Sequence, residues 1–399
     1  MTVAANYLYQ SLREISMQKT VLSVSVAAAL ALPGLAFAQA AAAPASGVPT
    51  LDKVLEASGI SMSGYVDAAY THANRDIETG FSPRVFDSLN NSFALQQVGL
   101  QIAKQPKSGF GGLVNVTAGH DAKIIHSFPE ASGPTSSSFD ITQGYLQYAG
   151  GPLTVIAGKF TTLHGTEVIW SPNNANYSRS LLFGAVPFTH TGVRGTFAAS
   201  DSLSLIAGLN NGWDQLTDSN RDKTLELGVT ATPIKPLSLA ASYYGGKEIS
   251  TITGVNGRRD SVNFVGSWTV MDPLSLGLEY LAVKQKDAVG NGSGGTKDGK
   301  YSGFALYVTY AFMPKFKATL RAEALDDKDG FHFPAAAAAA GTSGTKHKEL
   351  TLTLGYAMAD NFDLRGEIRQ DKANEAVYSD NGSLSKSLLT YAIQGIYKF

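Results

Sequence analysis

Cysteine is absent from the sequence. Disulfides, thiolate-bound zinc and thiol catalysis are therefore excluded. Charge is scarce: Asp, Glu, Lys and Arg make up 16% of residues, against about 25% in soluble domains. The net charge of −1 gives no basic bias toward nucleic acid. After residue 40, no segment is apolar for the ~18 residues that a helical membrane span requires. There is no phosphate-cradling glycine loop and no GxSxG nucleophile elbow. The histidines are scattered. His120 and His126 lie near Asp121 but at a spacing that matches no metal motif. No enzyme activity, metal or cofactor is expected.

The chain does have 41 glycines, 17 tyrosines and 19 phenylalanines. Its mean hydropathy is near zero, at −0.04. Such a composition suits a membrane β-barrel, in which apolar residues face lipid and the alternate ones face water. The front of the chain agrees. Lys19 precedes an apolar run, VLSVSVAAALAL at 21–32, which Pro33-Gly34 breaks before Ala36-Phe37-Ala38. A basic start, a short apolar stretch and an A-x-A site are the parts of a cleavable export signal. Cleavage is expected after Ala38, with Ala40 as the alternative. Residues 1–16 read as an overlong start, with Met17 as the initiator. Three regions follow: upstream residues and signal over 1–38, a linker and short amphipathic segment over 39–59, and a barrel over 60–399.

From residue 60 onward, alternation with period two recurs. Leu350, Leu352, Leu354, Tyr356 and Met358 point one way, and Thr351, Thr353, Gly355 and Ala357 the other. Successive side chains of a strand leave opposite faces, so one face is apolar and one polar. About sixteen such runs are present, each long enough for a tilted membrane strand of ~9–11 residues. The expected strands are 60–73, 91–104, 110–121, 139–149, 152–164, 188–200, 202–213, 221–233, 236–247, 258–270, 273–286, 299–313, 315–326, 346–360, 362–374 and 386–399. Short turns alternate with long polar loops at 74–90, 122–138, 165–187, 214–220, 248–257, 287–298, 327–345 and 375–385. Short periplasmic turns and long outer loops typify transmembrane up-and-down antiparallel barrels with an even strand number. Loop 327–345, with its alanine run, reads as mobile. Aromatic residues such as Tyr310, Phe312 and Tyr356 sit near the short turns, and Tyr280, Phe304 and Tyr391 near the long loops. Two aromatic girdles of this kind mark the membrane interfaces.

The last run ends on Phe399, with Tyr397, Ile393 and Tyr391 on the same face. It resembles the C-terminal signal that the barrel-assembly machinery reads in outer-membrane proteins. Five segments carry a wider resemblance: SGYVDAAYTH at 63–72, NSFALQQVGLQI at 91–102, GKFTTLHGTEVI at 158–169, SPNNANYSRSLLF at 171–183 and PFTHTGVR at 187–194. Here the sequence resembles the bacterial outer-membrane β-barrel porins of the OmpL-like type. The resemblance implies an outer-membrane porin barrel with no defined solute.

A barrel of ~16 strands is too wide for its side chains to fill, so an aqueous lumen is expected. Its selectivity depends on inward charges and on whatever narrows the bore. Alternation puts Arg194, Lys317, Arg321, Glu323, Arg365, Glu367 and Arg369 on the inward wall. The third long loop, 165–187, carries Glu167, Trp170, Tyr177 and Arg179 together with Leu181, Leu182 and Phe183. Such apolar bulk does not suit a loop in water. By analogy with trimeric porins, it is expected to fold into the lumen, where Glu167 and Arg179 would face Arg194 and Arg365. The expected function is passive diffusion of small hydrophilic solutes. The alternatives are an outer-membrane hydrolase, for which no nucleophile motif is present, and an adhesin-type barrel. Expected partners are outer-membrane lipids, the barrel-assembly machinery and the solutes, with a homotrimer left open.

Overall fold

The computed structural model describes residues 49–75, 84–130 and 136–399. The export signal expected over 1–38 and most of the expected linker therefore lie outside the described residues. An exposed helix, α1 (Leu51–Ser58), ends at Gly59, whose φ of 66° closes it with a left-handed residue. Glycine adopts this conformation without the Cβ clash that other residues incur.

Sixteen strands then close one antiparallel barrel in simple neighbour order. They are β1 (Ser61–Ala73), β2 (Ser92–Lys104), β3 (Gly109–Ala118), β4 (Phe139–Gly150), β5 (Leu153–Thr161), β6 (Thr189–Ser200), β7 (Leu203–Asn210) and β8 (Thr224–Ile234). The second half comprises β9 (Leu237–Ile249), β10 (Asn256–Met271), β11 (Leu274–Gly290), β12 (Thr296–Met313), β13 (Phe316–Asp327), β14 (Thr345–Ala359), β15 (Phe362–Ala373) and β18 (Ser387–Lys398). A small hairpin, β16 (Tyr378–Asp380) with β17 (Ser383–Ser385), stands in the last long connection. First and last strands pair from Tyr65 with Lys398 to Ala73 with Thr390. Phe399 completes the seam: its amide donates to the Gly64 carbonyl at 2.9 Å, and the Gly64 amide returns a bond of 2.7 Å. Closure leaves no strand edge unpaired, the condition for a sheet to stand in hydrocarbon.

The alternation sorts by face as the sequence implies. Leu350, Leu352, Leu354, Tyr356 and Met358 are exposed on the outside of β14, while Glu349, Thr351 and Thr353 are buried inside. A water-facing exterior would leave such a continuous apolar band unexplained; a lipid-facing exterior requires it.

The structure corrects the expected boundaries in three places. Strands expected over 110–121, 152–164 and 202–213 end at Ala118, Thr161 and Asn210. Beyond those points the backbone turns inward. The loops expected over 248–257 and 287–298 are instead short turns on lengthened strands. Strand β11 continues to Gly290 and β12 begins at Thr296. Residues 287–298 read as loop, yet the pairing continues there, with Val289 opposite Lys297 and Gly290 opposite Thr296, and Asp298 lies 2.8 Å from Lys284 Nζ in the strand before it. Lastly, the connection expected to be mobile, 327–345, is folded. It forms helix α3 (Pro334–Ala339), following α2 (Leu181–Gly184) in chain order. The Asp327 carboxylate accepts from the amides of Phe331 (2.9 Å), His332 (3.1 Å) and Phe333 (2.7 Å). These three bonds gather the loop, and Phe331, Phe333 and Ala336 bury themselves beneath it.

Candidate functional site: the barrel interior

The connection between β5 and β6, residues 162–188, lies inside the barrel. Its polar groups bond inward-facing wall residues around most of the circumference. Near its start, the Gly165 amide donates to Asn263 at 3.0 Å and the Thr166 amide to Glu279 at 2.8 Å. The imidazole of His164 stands between the hydroxyls of Ser242 (2.7 Å) and Ser261 (3.0 Å). Toward β1, the Ser171 hydroxyl meets Asp67 at 2.5 Å and its amide donates to the Tyr65 hydroxyl at 3.3 Å. Trp170 packs edge-on against Tyr65, with ring centroids 4.5 Å apart. Toward β15, Glu367 accepts from the amides of Tyr177 (2.8 Å) and Ser178 (3.0 Å). On β13, Glu323 accepts from Leu181 (2.7 Å) and Leu182 (3.3 Å).

Arg321 is the hub of this arrangement. Its guanidinium donates to Glu167 at 2.7 Å, to the Ser178 carbonyl at 2.7 Å and to Glu349 at 3.0 Å. Arg369 donates to the Arg179 carbonyl at 2.6 Å and pairs with Asp371 at 2.8 Å. All of these side chains are buried. Burial is tolerable because every charge has an opposite charge or amide donors beside it.

The sequence-derived residues are thus brought together, but not in the expected pairs. Glu167 meets Arg321, not Arg194 or Arg365. Arg194 is occupied by Glu226, its neighbour across the wall. Arg365 donates to the Asn176 carbonyl at 3.3 Å and to Gln394 at 3.2 Å. Arg179 turns back on its own loop, donating to the carbonyls of Tyr177 (2.9 Å), Val168 (3.1 Å) and Ile169 (3.2 Å). Its guanidinium also lies 5.3 Å from the Phe86 ring centroid. Lys317 lies near the short turns, in register with Gly355 on β14 and, through it, with Arg365 on β15; Asp363, one inward position nearer the turn, pairs with Lys398 at 2.8 Å. The expected facing of Glu167 and Arg179 against Arg194 and Arg365 does not form, since each has a nearer partner.

Two features escaped sequence reading. First, other connections join the loop. Arg84 donates to Asp87 at 2.8 Å and to Asp371 at 3.1 Å, so residues near 84–90 also turn inward. Phe86, Ile125, Ile169 and Phe183 form one apolar cluster from three connections. A second cluster joins Leu181 and Leu182 to Phe331, Phe333 and Tyr378 and to wall residues Tyr301, Tyr307 and Leu325. Second, two bulges turn extra side chains inward. Asp67 pairs with Gln97 and Ala68 with Leu95, leaving Gln96 as an additional residue. An extra residue in one strand re-aims its neighbours. As a result Gln96 and Gln97 both face the lumen, where Gln96 donates to the Tyr177 hydroxyl (2.8 Å) and Gln97 to Asp121 (2.8 Å). The same displacement at Asn115/Val116 turns Thr142 inward, against Thr117 at 2.7 Å. The Gln-Gln pair in NSFALQQVGLQI was the visible signal: it breaks the alternation.

The end of the bore near the short turns has a different lining. Ser204, Thr230, Ser238, Ser267, Ser275, Thr309 and Thr319 sit at inward register positions on successive strands. Between β6 and β13 that end is therefore lined largely by neutral hydroxyls.

A closed sixteen-stranded barrel with a lipid-type exterior, a polar interior and an internal third connection has the fold of porin-type outer-membrane channels. The family model described as putative beta-barrel porin-2, OmpL-like, matches residues 59–399, and the chain belongs to that family. Among solved structures, it is similar to the outer membrane channel DcaP of Acinetobacter baumannii, with a TM-score of 0.60 and 16% identity over 85% of this chain and 97% of that one. It is also similar to outer-membrane-expressed OmpT of Vibrio cholerae, with a TM-score of 0.56 and 12% identity over 85% and 97%. A mutant Rh. blastica porin aligns with a TM-score of 0.52 and 14% identity over 85% and 100%. At these identities the likeness is one of fold. No curated relative matches the sequence.

Proposed function

We propose that the protein is a passive diffusion porin for small hydrophilic solutes, narrowed by residues 165–187, with its long connections outside the cell. The observation that carries this reading is the bonding of that segment to the inward wall through Glu167, Glu323, Glu367 and Arg321. A constriction must hold its shape while solutes pass, and buried, fully partnered charges provide that rigidity. The charges at the narrow level are buried against partners, and neutral hydroxyls line the bore beyond it. Weak ion preference follows, because a selective pore needs uncompensated charge facing the path. Glu167, Trp170, Tyr177 and Arg179 shape the constriction; Arg194, Lys317, Arg321, Glu323, Arg365, Glu367 and Arg369 belong to the lumen wall.

The remaining elements fit the same reading. Residues 1–38 carry the export signal, and Phe399 at the closing seam is the residue read during assembly. One solved relative, OmpT of Vibrio cholerae, is described in a trimer form, and a homotrimer is the assembly we propose here. Liposome swelling with neutral sugars of increasing size tests the function. Uptake of monosaccharides with a sharp size limit supports it; liposomes that stay as tight as protein-free ones refute it.

A further inference from the structure

A groove of about 450 Å³ lies on the outside of the barrel, where β10 to β13 rise toward the long connections. Small outward residues, Val262, Ala282 and Ser302, form its floor. Tyr280 closes it on the membrane side, beside the exposed ring of Phe304, its cross-strand neighbour. Above the floor stand Lys284, Lys300 and Lys328. The apolar band on β11 runs through Leu276, Leu278 and Tyr280, so the lysines sit just beyond its edge.

The charges make this more than a gap between side chains. Lys284 and Lys300 are directly opposite each other across the β11–β12 pair. Like charges in that position repel and destabilise a sheet. Lys284 pairs with Asp298 at 2.8 Å. The two groove carboxylates have other partners as well: Asp260 pairs with Arg258 at 2.8 Å, and Asp326 with Lys346 at 3.0 Å. Lys300 and Lys328 have no ion pair among the described residues. Two free ammonium groups therefore crown an apolar slot at the height of a membrane interface.

We infer that this groove binds one phosphorylated lipid of the outer leaflet. Its phosphate would lie between Lys300 and Lys328, and an acyl chain would lie over Val262, Ala282 and Tyr280. The occupant is a lipid, not free phosphate, because the floor is apolar and opens sideways into the bilayer region. This inference rests on the proposed orientation, with the long connections outside the cell, and not on solute diffusion through the bore.

The test compares the full barrel with the double variant Lys300→Gln, Lys328→Gln, both in detergent. Both changes are exposed and lie outside the internal network, and heat-modifiable migration checks that the variant folds. Each protein is titrated with bisphosphorylated lipid A, with its dephosphorylated form and with inorganic phosphate, and binding is read by native mass spectrometry and by the unfolding midpoint. The wild-type barrel should bind the bisphosphorylated lipid and be stabilised by it. The variant should bind about thirty-fold more weakly, as expected for two lysine contacts near a membrane surface. Inorganic phosphate should give no shift. Equal binding of the dephosphorylated lipid, or undiminished binding by the variant, would overturn the proposal.

Discussion

Replacing Arg321 by alanine tests how the internal segment is held. The guanidinium bridges Glu167 on the loop to Glu349 on the wall, and Glu323 lies 3.8 Å away. Its removal leaves three buried carboxylates without their central cation. Breaking a buried ion pair by deleting one partner costs about 3–5 kcal/mol. Because Arg321 joins loop to wall, that cost falls mainly on the local docking of residues 165–187, while the strand ladders remain. At about 1.4 kcal/mol per decade, amide protection across the segment should fall by roughly 10²–10⁴. Hydrogen exchange read by mass spectrometry reports this directly, because the amides of Tyr177, Ser178, Leu181 and Leu182 are capped by wall carboxylates. Single-channel current should become larger and noisier in the same variant, with a shift toward cations from the freed carboxylates. Unchanged exchange in 165–187 together with unchanged current would refute the claim that Arg321 holds the constriction.

Other outcomes follow from separate parts of the interior. Asp327→Ala removes the acceptor for three amides, at about 1–3 kcal/mol for each group left unsatisfied; exchange should rise in 328–344 and little elsewhere. A Cβ on Gly99 would fall 2.2 Å from the Tyr65 ring and 3.0 Å from Trp170. Gly99→Val should therefore push both rings into the bore and lower conductance, and a wild-type current would count against the placement of Trp170. Burial pushes the Asp214 carboxyl up to about 6, although the amides of Thr189 and Phe188 that it accepts favour its charged form. A carboxyl raised above its ordinary value makes the folded state bind the proton, so stability should fall as pH rises from about 4 to 6. Asp214→Asn should flatten that part of a urea-midpoint profile, and an unchanged slope would show that another group is responsible.

The strands were legible because a lipid-type exterior and a polar interior impose a two-residue period that a strand cannot hide. Leu350 to Met358 displays it without a break, and the expected span there matches β14 to within a residue at each end. Reading failed where that rule gives way. At the outer ends of β11 and β12 the alternation fades, and 287–298 read as loop although the strands stay paired as far as Gly290 and Thr296. At Gln96-Gln97 a bulge sets two successive residues inward, which strict alternation forbids. Inward folding of 165–187 could be anticipated from Leu181, Leu182 and Phe183, which belong in a core. The partner of Glu167 could not. Arg321, Arg194 and Arg365 all face inward on different strands, and only the path of the loop across the bore selects among them. The order in 327–345 depended on Asp327 accepting three amides, a geometry that an alanine-rich sequence does not announce.

A planar-bilayer recording of the purified wild-type barrel under a tenfold salt gradient addresses the water-filled bore most directly. Stepwise openings of uniform size, with a reversal potential close to zero, are the predicted result. Silent membranes containing folded barrel, or a reversal potential near the limit for a single ion, would contradict it.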